Sequence, residues 1–310
     1  MSHSSFSHLN IHSEYSILDS IVKIDNLAEK TKQHGYESLA LTDSSNLFGF
    51  MKFYKSIRAQ NIKPIAGAEI NHVKDSSSHH EHANFTLLAK DKIGYKNLIK
   101  IISKSQIEGK NSGLPVVESA WLSEYSKGLI ALSGGFRGHI GKSVLDNNEE
   151  LFLKRIKYFQ KIYGEDFVLE ISRINRPQED LYNDFILSKA GELGIPVVAT
   201  NEVRFINKED YEAHETRVCI QNGEVLSDSK RSRIYFEDQY FLSPDEMNEK
   251  FSDIPEVLGN AYEISKKCNL EVETGIYVLP DFETPFKKTA SEHLIDCLLY
   301  TSPSPRDLDL

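Results

Sequence analysis

Short apolar runs alternate with helical patterns over the first 205 residues of this chain, and this alternation constrains the fold more than any other feature. Seven segments have the character of strands, namely residues 7–16, 39–43, 65–69, 85–89, 129–133, 167–171 and 196–202. Most of them are nearly continuous apolar runs, which is typical of parallel strands that are buried on both faces.

Helical patterns separate the strand segments. They cover residues 21–34, 47–59, 95–105, 151–163 and 180–193. Gly35, Gly164 and Gly194 follow three of these patterns, and glycine commonly ends a helix. Repeated strand–helix units favour a parallel sheet. We therefore predict an α/β fold with a closed or nearly closed β/α barrel, and an open doubly wound sheet is the alternative.

The first strand segment carries polar side chains at alternate positions. His8, Asn10 and His12 are two residues apart, so an extended strand places them on one face. Imidazoles at this spacing can converge on one metal ion, because neutral histidine is a good ligand for zinc, manganese or iron. A surface strand with two histidines is the commoner situation, and the motif alone leaves both interpretations open.

Carboxylates follow three of the later strand segments. Asp43, Glu69 and Glu202 each come at the carboxyl end of an apolar run. In barrels and in open parallel sheets, the loops after the strand ends form the functional face. We expect His12 and these three carboxylates to gather there.

Composition narrows the class of protein. The net charge is −10, which argues against a self-sufficient nucleic-acid-binding surface, since such surfaces are usually basic. No apolar run reaches the length of about 18 residues that spans a membrane, so no membrane partner is expected. Cys219, Cys268 and Cys297 are scattered without a C-x-x-C spacing, which predicts a reducing cytoplasm rather than a disulfide framework.

Several motifs occur together in the order found in one bacterial family. They are Ser7-His8-Leu9-Asn10-Ile11-His12-Ser13-Glu14-Tyr15, Ala40-Leu41-Thr42-Asp43-Ser44-Ser45-Asn46, Pro64-Ile65-Ala66-Gly67-Ala68-Glu69, Leu132-Ser133-Gly134-Gly135, Thr200-Asn201-Glu202-Val203-Arg204-Phe205 and Ala213-His214-Glu215. On these residues the chain resembles the N-terminal region of bacterial replicative DNA polymerase III alpha subunits, the polymerase-and-histidinol-phosphatase (PHP) domain. The resemblance covers about residues 5–299 and implies a distorted seven-stranded β/α barrel.

The resemblance also implies a division of the chain. Residues 1–275 correspond to the PHP-type barrel with a C-terminal helical extension, and residues 276–299 to a linker and the start of the polymerase core. Residues 300–310 are expected to be a non-native tail, because Pro303 and Pro305 cannot continue the preceding helical pattern. This tail resembles translated sequencing-adapter sequence.

Metal-binding members of the family hold a polynuclear metal cluster, and their ligand pattern has nine positions. A usable ligand stands at four of them, occupied by His12, Asp43, Glu69 and Glu202. The ligand is lost at the other five, occupied by Asn10, Ser44, Asn84, Gly135 and Arg204. One zinc ion alone takes about four ligands, so the survivors cannot build a multi-metal cluster. Binding of a single residual zinc or manganese ion is left as an alternative.

Arg204 is the most informative of the lost positions. A guanidinium keeps its charge, so it would repel a metal ion beside it. It is also able to form forked hydrogen bonds with carboxylates that have lost their metal. We predict an ion-pair cluster in which Arg204 substitutes for the metal among Asp43, Glu69 and Glu202, with His12 as a neighbour. In the alternative arrangement Arg204 points to solvent.

Two functions follow from the resemblance. In the first, the chain is a noncatalytic PHP region of a DNA-directed DNA polymerase, with no catalytic residues of its own and with the magnesium-dependent polymerase carboxylates in a missing downstream part. Its implied partners are a proofreading exonuclease subunit, the sliding clamp and primed DNA. In the second, it is an active PHP-family metal-dependent phosphoesterase or 3′–5′ exonuclease, in which the metal activates water. The degraded ligand set favours the first.

Overall fold

The computed structural model describes residues 6–17, 19–74, 82–109, 113–228, 231, 233–275 and 282–301. The chain divides into two compact units, residues 1–271 and 272–310. The first boundary predicted from the sequence, after residue 275, lies close to this division. Residues 75–81, residues 276–281 of the expected linker and residues 302–310 of the expected tail lie outside the described residues.

Seven strands of the first unit form one sheet. They are β1 (Ser38–Leu41), β2 (Lys63–Val73), β3 (Ala83–Ala89), β4 (Val116–Glu118), β5 (Leu129–Leu132), β6 (Phe167–Ile171) and β7 (Val197–Ala199). Their order is β1-β2-β3-β5-β6-β7, and β4 pairs with β2 on a separate branch. β4 was not predicted from the apolar pattern.

The segment before β1 closes this sheet into a barrel. His8 bridges Leu39 on β1, and Ile11 bridges Val203 just beyond β7. The amide of His12 donates to the carbonyl of Val203 at 3.1 Å, and the amide of Val203 donates to the carbonyl of Asn10 at 3.1 Å. Together with the six strands β1, β2, β3, β5, β6 and β7, this segment makes the barrel seven-stranded, and β4 lies on its side branch. The segment is held by isolated bridges and is not a regular strand. The predicted distorted seven-stranded β/α barrel is confirmed.

The prediction that the sheet is parallel is wrong for one strand. β3 runs antiparallel to both β2 and β5, whereas β1–β2, β5–β6 and β6–β7 are parallel. Only residues 74–82 separate β2 from β3. A parallel crossover needs a dozen residues or more, so this connection can only reverse the chain.

Helices surround the sheet in the first unit. They are α1 (Ile24–His34), α2 (Phe50–Arg58), α3 (Lys92–Ile107), α4 (Ser119–Glu124), α5 (His139–Leu145), α6 (Glu149–Tyr163), α7 (Glu179–Leu193), α8 (Tyr211–Asn222), α9 (Pro244–Lys250) and α10 (Glu256–Lys267). The second unit contains α11 (Ala290–Thr301). Among the described residues, none of these helices combines the length and the apolar character that a bilayer crossing requires.

The two ends of α1 have different causes: a local one at its C-terminus and a long-range one at its N-terminus. Gly35 adopts φ 73°, a left-handed conformation that glycine reaches without strain, and it ends the helix as predicted. The helix begins three residues later than predicted. The amide of Ile21 donates to the carbonyl of Arg204, and the carbonyl of Val22 accepts from Glu14, so these residues are extended. This pairing ties the start of α1 to the carboxyl ends of the strands.

A candidate functional site at the barrel mouth

Buried charged and amide side chains collect beyond the carboxyl ends of the strands. We call this group the barrel mouth, and it consists of Asn10, His12, Asp19, Asp43, Glu69, Asn84, Arg137, Glu170, Arg176, Glu202 and Arg204. Most of these side chains are buried. Burial of so many charges requires compensating partners, so the contacts of each residue decide what the site can do.

Arg204 is completely buried at the centre of the mouth. Its Nε lies 3.6 Å from Asp19 Oδ2, and its Nη2 lies 3.9 Å from Glu69 Oε1. Its Nη1 donates to the carbonyl of Val203 at 3.2 Å and to Asn10 Oδ1 at 3.5 Å. Nε and Nη2 have no hydrogen-bond partner among the described residues. The guanidinium is thus held mainly by the charge of the two carboxylates around it.

His12 connects the same two carboxylates. Its Nδ1 lies 3.0 Å from Asp19 Oδ2, and its Nε2 lies 3.8 Å from Glu69 Oε1. Burial raises the pKa of Asp19, but His12 and Arg204 outweigh it and hold this pKa well below its usual range. His12, Asp19 and Glu69 each offer one ligand atom, and these atoms lie within 4.8 Å of one another. Asp19 follows no strand, so the sequence pattern gave no signal for it.

Two asparagines, at positions where the sequence analysis predicts a lost metal ligand, lie beside the carboxylates. Asn84 Nδ2 donates to Glu69 Oε1 at 2.8 Å. Asn10 Nδ2 lies 3.5 Å from Glu69 Oε2 and 3.5 Å from Glu170 Oε1. An amide has N–H donors for a carboxylate, whereas a neutral imidazole would offer its lone pair to a metal. Both asparagines therefore present N–H donors to Glu69.

Asp43 binds the loop of residues 13–17 at the end of the first segment, which includes the short 3₁₀ helix Glu14–Ser16. Its Oδ1 accepts from the amide of Ser13 at 2.6 Å and from Ser16 Oγ at 2.7 Å, and its Oδ2 accepts from Ser13 Oγ at 2.8 Å. Burial raises the pKa of Asp43 despite these donors. The neighbouring Ser44 is half-buried, and its amide donates to Ser16 Oγ at 3.0 Å. The hydrogen bonds of Asp43 thus hold this loop in place. Of the three carboxylates in the predicted cluster, Glu69 is the one that Arg204 contacts.

Glu202 forms ion pairs with Arg176 and Arg137. Arg176 Nη2 donates to both carboxylate oxygens at 3.0 and 2.9 Å, and Arg137 Nη2 donates to Oε2 at 3.0 Å. Burial raises the pKa of Glu202, but Arg176, Arg137 and Arg204 together lower it to about 2. Arg137 ends the short 3₁₀ helix Gly135–Arg137 and Arg176 lies in a loop, and sequence reasoning missed both of them.

Glu202 and Arg204 are two residues apart but do not share a strand face. β7 ends at Ala199, and Glu202 has φ 45°, in the left-handed region that non-glycine residues rarely adopt. This turn directs Glu202 to Arg137 and Arg176. The alternation of side chains along a strand therefore does not apply between Glu202 and Arg204.

Glu170 is a buried carboxyl inside β6 that sequence reasoning also missed. Thr200 Oγ1 donates to its Oε1 at 2.7 Å, and its Oε2 has no partner among the described residues. Burial raises the pKa of Glu170 to about 7, and the charges of Glu202 and Glu69 act in the same direction. The residue was overlooked because it lies within an apolar run, where a polar residue resembles an outward-facing position.

His8 does not join the mouth. Its Nε2 lies 3.0 Å from the carbonyl of Leu242 and 3.1 Å from the hydroxyl of Tyr36, and burial lowers its pKa to about 4. Alternation places His8 and His12 on one face, but four residues of extended chain separate them by about 13 Å. Gly135, another of the lost ligand positions, has φ 55° and lies beside Glu170.

Comparison with known proteins identifies the family of the chain. The PHP domain family matches residues 8–174, which is more than half of the chain and includes the first segment, Asp43, Glu69 and Glu170. The chain belongs to the PHP domain family.

Its relatives are replication proteins. The chain is 43% identical over 284 residues to the DNA polymerase III subunit alpha of Vibrio cholerae, and this match covers 92% of the chain and 24% of that protein. It is 42% identical over 284 residues to the same subunit of Escherichia coli K12, with the same coverage. The chain spans about a quarter of the length of these relatives and corresponds to the PHP domain region of the alpha subunit.

A solved structure also resembles the chain. It is an amidohydrolase from Chromobacterium violaceum with bound sulfate and no metal, which is 12% identical and has a TM-score of 0.47. The match covers 68% of this chain and 96% of that one.

Proposed function

We propose that this PHP domain serves DNA replication as a structural region of a DNA polymerase III alpha subunit and has no phosphoesterase activity of its own. One observation carries the proposal. The guanidinium of Arg204 is fully buried within 4 Å of Asp19 and Glu69, two members of the group that would otherwise be available to a metal ion.

The donor set fits a metal cluster poorly. His12, Asp19 and Glu69 supply three ligand atoms, whereas one zinc ion takes about four and a cluster takes more. A dication about 4 Å from a guanidinium is repelled by on the order of 8 kcal/mol at an effective dielectric constant near 20. Glu202 is occupied by Arg137 and Arg176, and Asp43 by Ser13 and Ser16.

Ion pairs replace the metal in this proposal. Arg204 neutralises the pair of Asp19 and Glu69, and Arg137 with Arg176 neutralise Glu202. Together they stabilise the mouth as a metal cluster would, but they provide no Lewis acid and no activated water. The mouth then serves the fold rather than chemistry.

The proposed setting is the replication complex. In it the PHP region helps to hold the proofreading exonuclease subunit, the sliding clamp and primed DNA, and magnesium belongs to the polymerase core of the family protein. The net charge of −10 supports contact with proteins more than direct contact with DNA.

The purified chain should hydrolyse neither p-nitrophenyl phosphate nor the 3′ end of a DNA strand with added manganese or zinc. The measurement compares the wild-type chain with His12→Ala, which removes a candidate ligand, and quantifies bound metal by equilibrium dialysis. Turnover that requires manganese or zinc and disappears in His12→Ala would favour the second function, an active PHP phosphoesterase or exonuclease. Turnover that persists in His12→Ala would indicate a contaminating enzyme.

A further inference from the structure

A cavity of about 670 Å³ lies outside the barrel mouth, and residues of β2, α4, α5 and α6 line it. None of the barrel-mouth residues lines this cavity. Its volume falls within the range of about 300 to 1,000 Å³ that is usual for small-molecule sites. The proposed function makes no use of it.

The apolar part of the lining is aromatic and fixed. Phe159 is buried and stacks between Phe85 and Phe167, with ring centroids at 4.7 and 5.6 Å. Tyr158 donates its hydroxyl to the carbonyl of Ser119 at 3.1 Å. Because the packing of Phe159 and the hydrogen bond of Tyr158 hold these side chains in place, the cavity is formed before any ligand arrives.

The charged part of the lining comes from one face of α6. Leu151, Lys154, Arg155 and Tyr158 all line the cavity, and their spacing of three and four residues places them on the same side of the helix. Arg155 Nη1 donates to Ser143 Oγ at 2.6 Å and to the carbonyl of His139, so the guanidinium is held beside the cavity.

Positive charge dominates this lining. Lys74, Lys154 and Arg155 contribute three cations, and no carboxylate is among the residues that line the cavity in the described part of the chain. His139 also lines it, but burial lowers its pKa to about 4, so this imidazole is neutral near pH 7. In a chain with net charge −10, a cavity whose charged lining residues in the described part of the chain are all cations is complementary to an anion.

We propose that this cavity binds a small organic phosphate of the nucleoside-phosphate class. The flat ring of the ligand packs on the half-buried Tyr158, and its phosphate groups face Lys74, Lys154 and Arg155. A phosphate carries up to two negative charges and several acceptor oxygens, so it matches three cations better than a single carboxylate does. The aromatic lining favours a ligand with a ring over inorganic phosphate.

The test measures binding of the probe, adenosine 5′-diphosphate, to the full chain by isothermal titration calorimetry at low salt. Adenosine and inorganic pyrophosphate are titrated separately, and each should bind at least about tenfold more weakly than the diphosphate, because each lacks one half of the ligand. Lys154→Glu should weaken binding of the diphosphate by at least about tenfold. Ala120→Trp, which narrows the cavity from α4, should have a similar effect.

Lys157→Glu is the matched control, since Lys157 is exposed on α6 and does not line the cavity. It should change the affinity by less than about twofold. No binding of the diphosphate at about 1 mM would overturn the proposal. Pyrophosphate binding as tightly as the diphosphate, or equal losses in Lys154→Glu and Lys157→Glu, would also overturn it, because either result indicates nonspecific attraction of anions. Thermal unfolding of each variant verifies that it is folded.

Discussion

At the scale of single residues, Arg204 determines the character of the barrel mouth. It is the largest fully buried side chain among the described residues, and its charge is shared between Asp19 and Glu69. Buried charges of this kind add little net stability when all partners are present, but loss of one partner leaves the others without compensation. The strength of the coupling can therefore be measured by removing the partners one at a time.

Arg204→Met should lower the free energy of unfolding by about 2 to 4 kcal/mol, because it leaves two buried carboxylates without their cation. Glu69→Gln should lower the free energy of unfolding by less in the Arg204→Met background than in the wild-type chain. Urea denaturation of both single variants and the double variant gives this coupling energy. Lys266→Met, which removes an exposed partner of Glu263, is the control and should leave the denaturation midpoint unchanged. Additive effects of the two mouth substitutions would contradict the cluster.

Glu170 should make stability depend on pH. Burial raises the pKa of Glu170 to about 7, above its ordinary value of 4.5, so the folded chain holds a proton that the unfolded chain releases. Its contribution is complete below about pH 4.5 and is lost as the pH rises through about 7. Glu170→Gln cannot ionise, so the variant should gain stability relative to wild type over this range, by up to about 3 kcal/mol at pH 8. Denaturation midpoints from pH 4 to pH 8 provide the measurement, and a constant difference between the two chains would exclude the effect.

At the scale of elements, the sequence predicts the strands better than the site. Runs such as residues 129–132 are apolar throughout because both faces are buried, and this composition is visible without the fold. The direction of β3 was not predicted, because the apolar runs at residues 65–69 and 85–89 do not show how far the two strands extend and so hide how short their connection is. Arg137 lies in a single 3₁₀ turn and Arg176 in a loop, neither of which has a periodic pattern, and only the packed barrel brings them to Glu202. Asp43 was found from its position after β1, but its actual partners depend on how the loop of residues 13–17 folds.

Asp43→Ala tests whether this carboxylate holds that loop. Loss of this carboxylate leaves the Ser13 amide and the hydroxyls of Ser13 and Ser16 without their acceptor, so the free energy of unfolding should fall by about 2 to 4 kcal/mol. Ser44→Ala, at the adjacent position, should cost less than about 0.5 kcal/mol. Chemical denaturation compares the two variants. Equal effects would mean that Asp43 has no special part in ordering the loop.

At the scale of the whole molecule, the first unit contains its own core. α10 buries Val257, Leu258, Ala261 and Ile264, whereas none of the residues of α11 is buried. In the described part of the chain, the buried apolar side chains that stabilise the barrel therefore end with Leu270, just after α10.

A chain of residues 1–271 should fold and unfold like the full chain, with a melting temperature within about 2 °C. A chain of residues 1–255 lacks α10 and should be much less stable, because the apolar side chains that pack against this helix become exposed. Differential scanning calorimetry of the two truncated chains and the full chain makes the comparison. A large loss of stability in residues 1–271 would show that the second unit contributes to the fold.

The bridge between Ile11 and Val203 has a consequence for the timing of folding during translation. The first segment can pair with β1 early, but its other edge has no partner until the ribosome has released the chain beyond Val203. Closing so long a loop is entropically costly, and contacts that are distant in sequence form slowly. Until then the nascent chain has two open sheet edges, which are prone to pair with other chains. Chaperones that shield such edges should therefore act on this domain late in its synthesis.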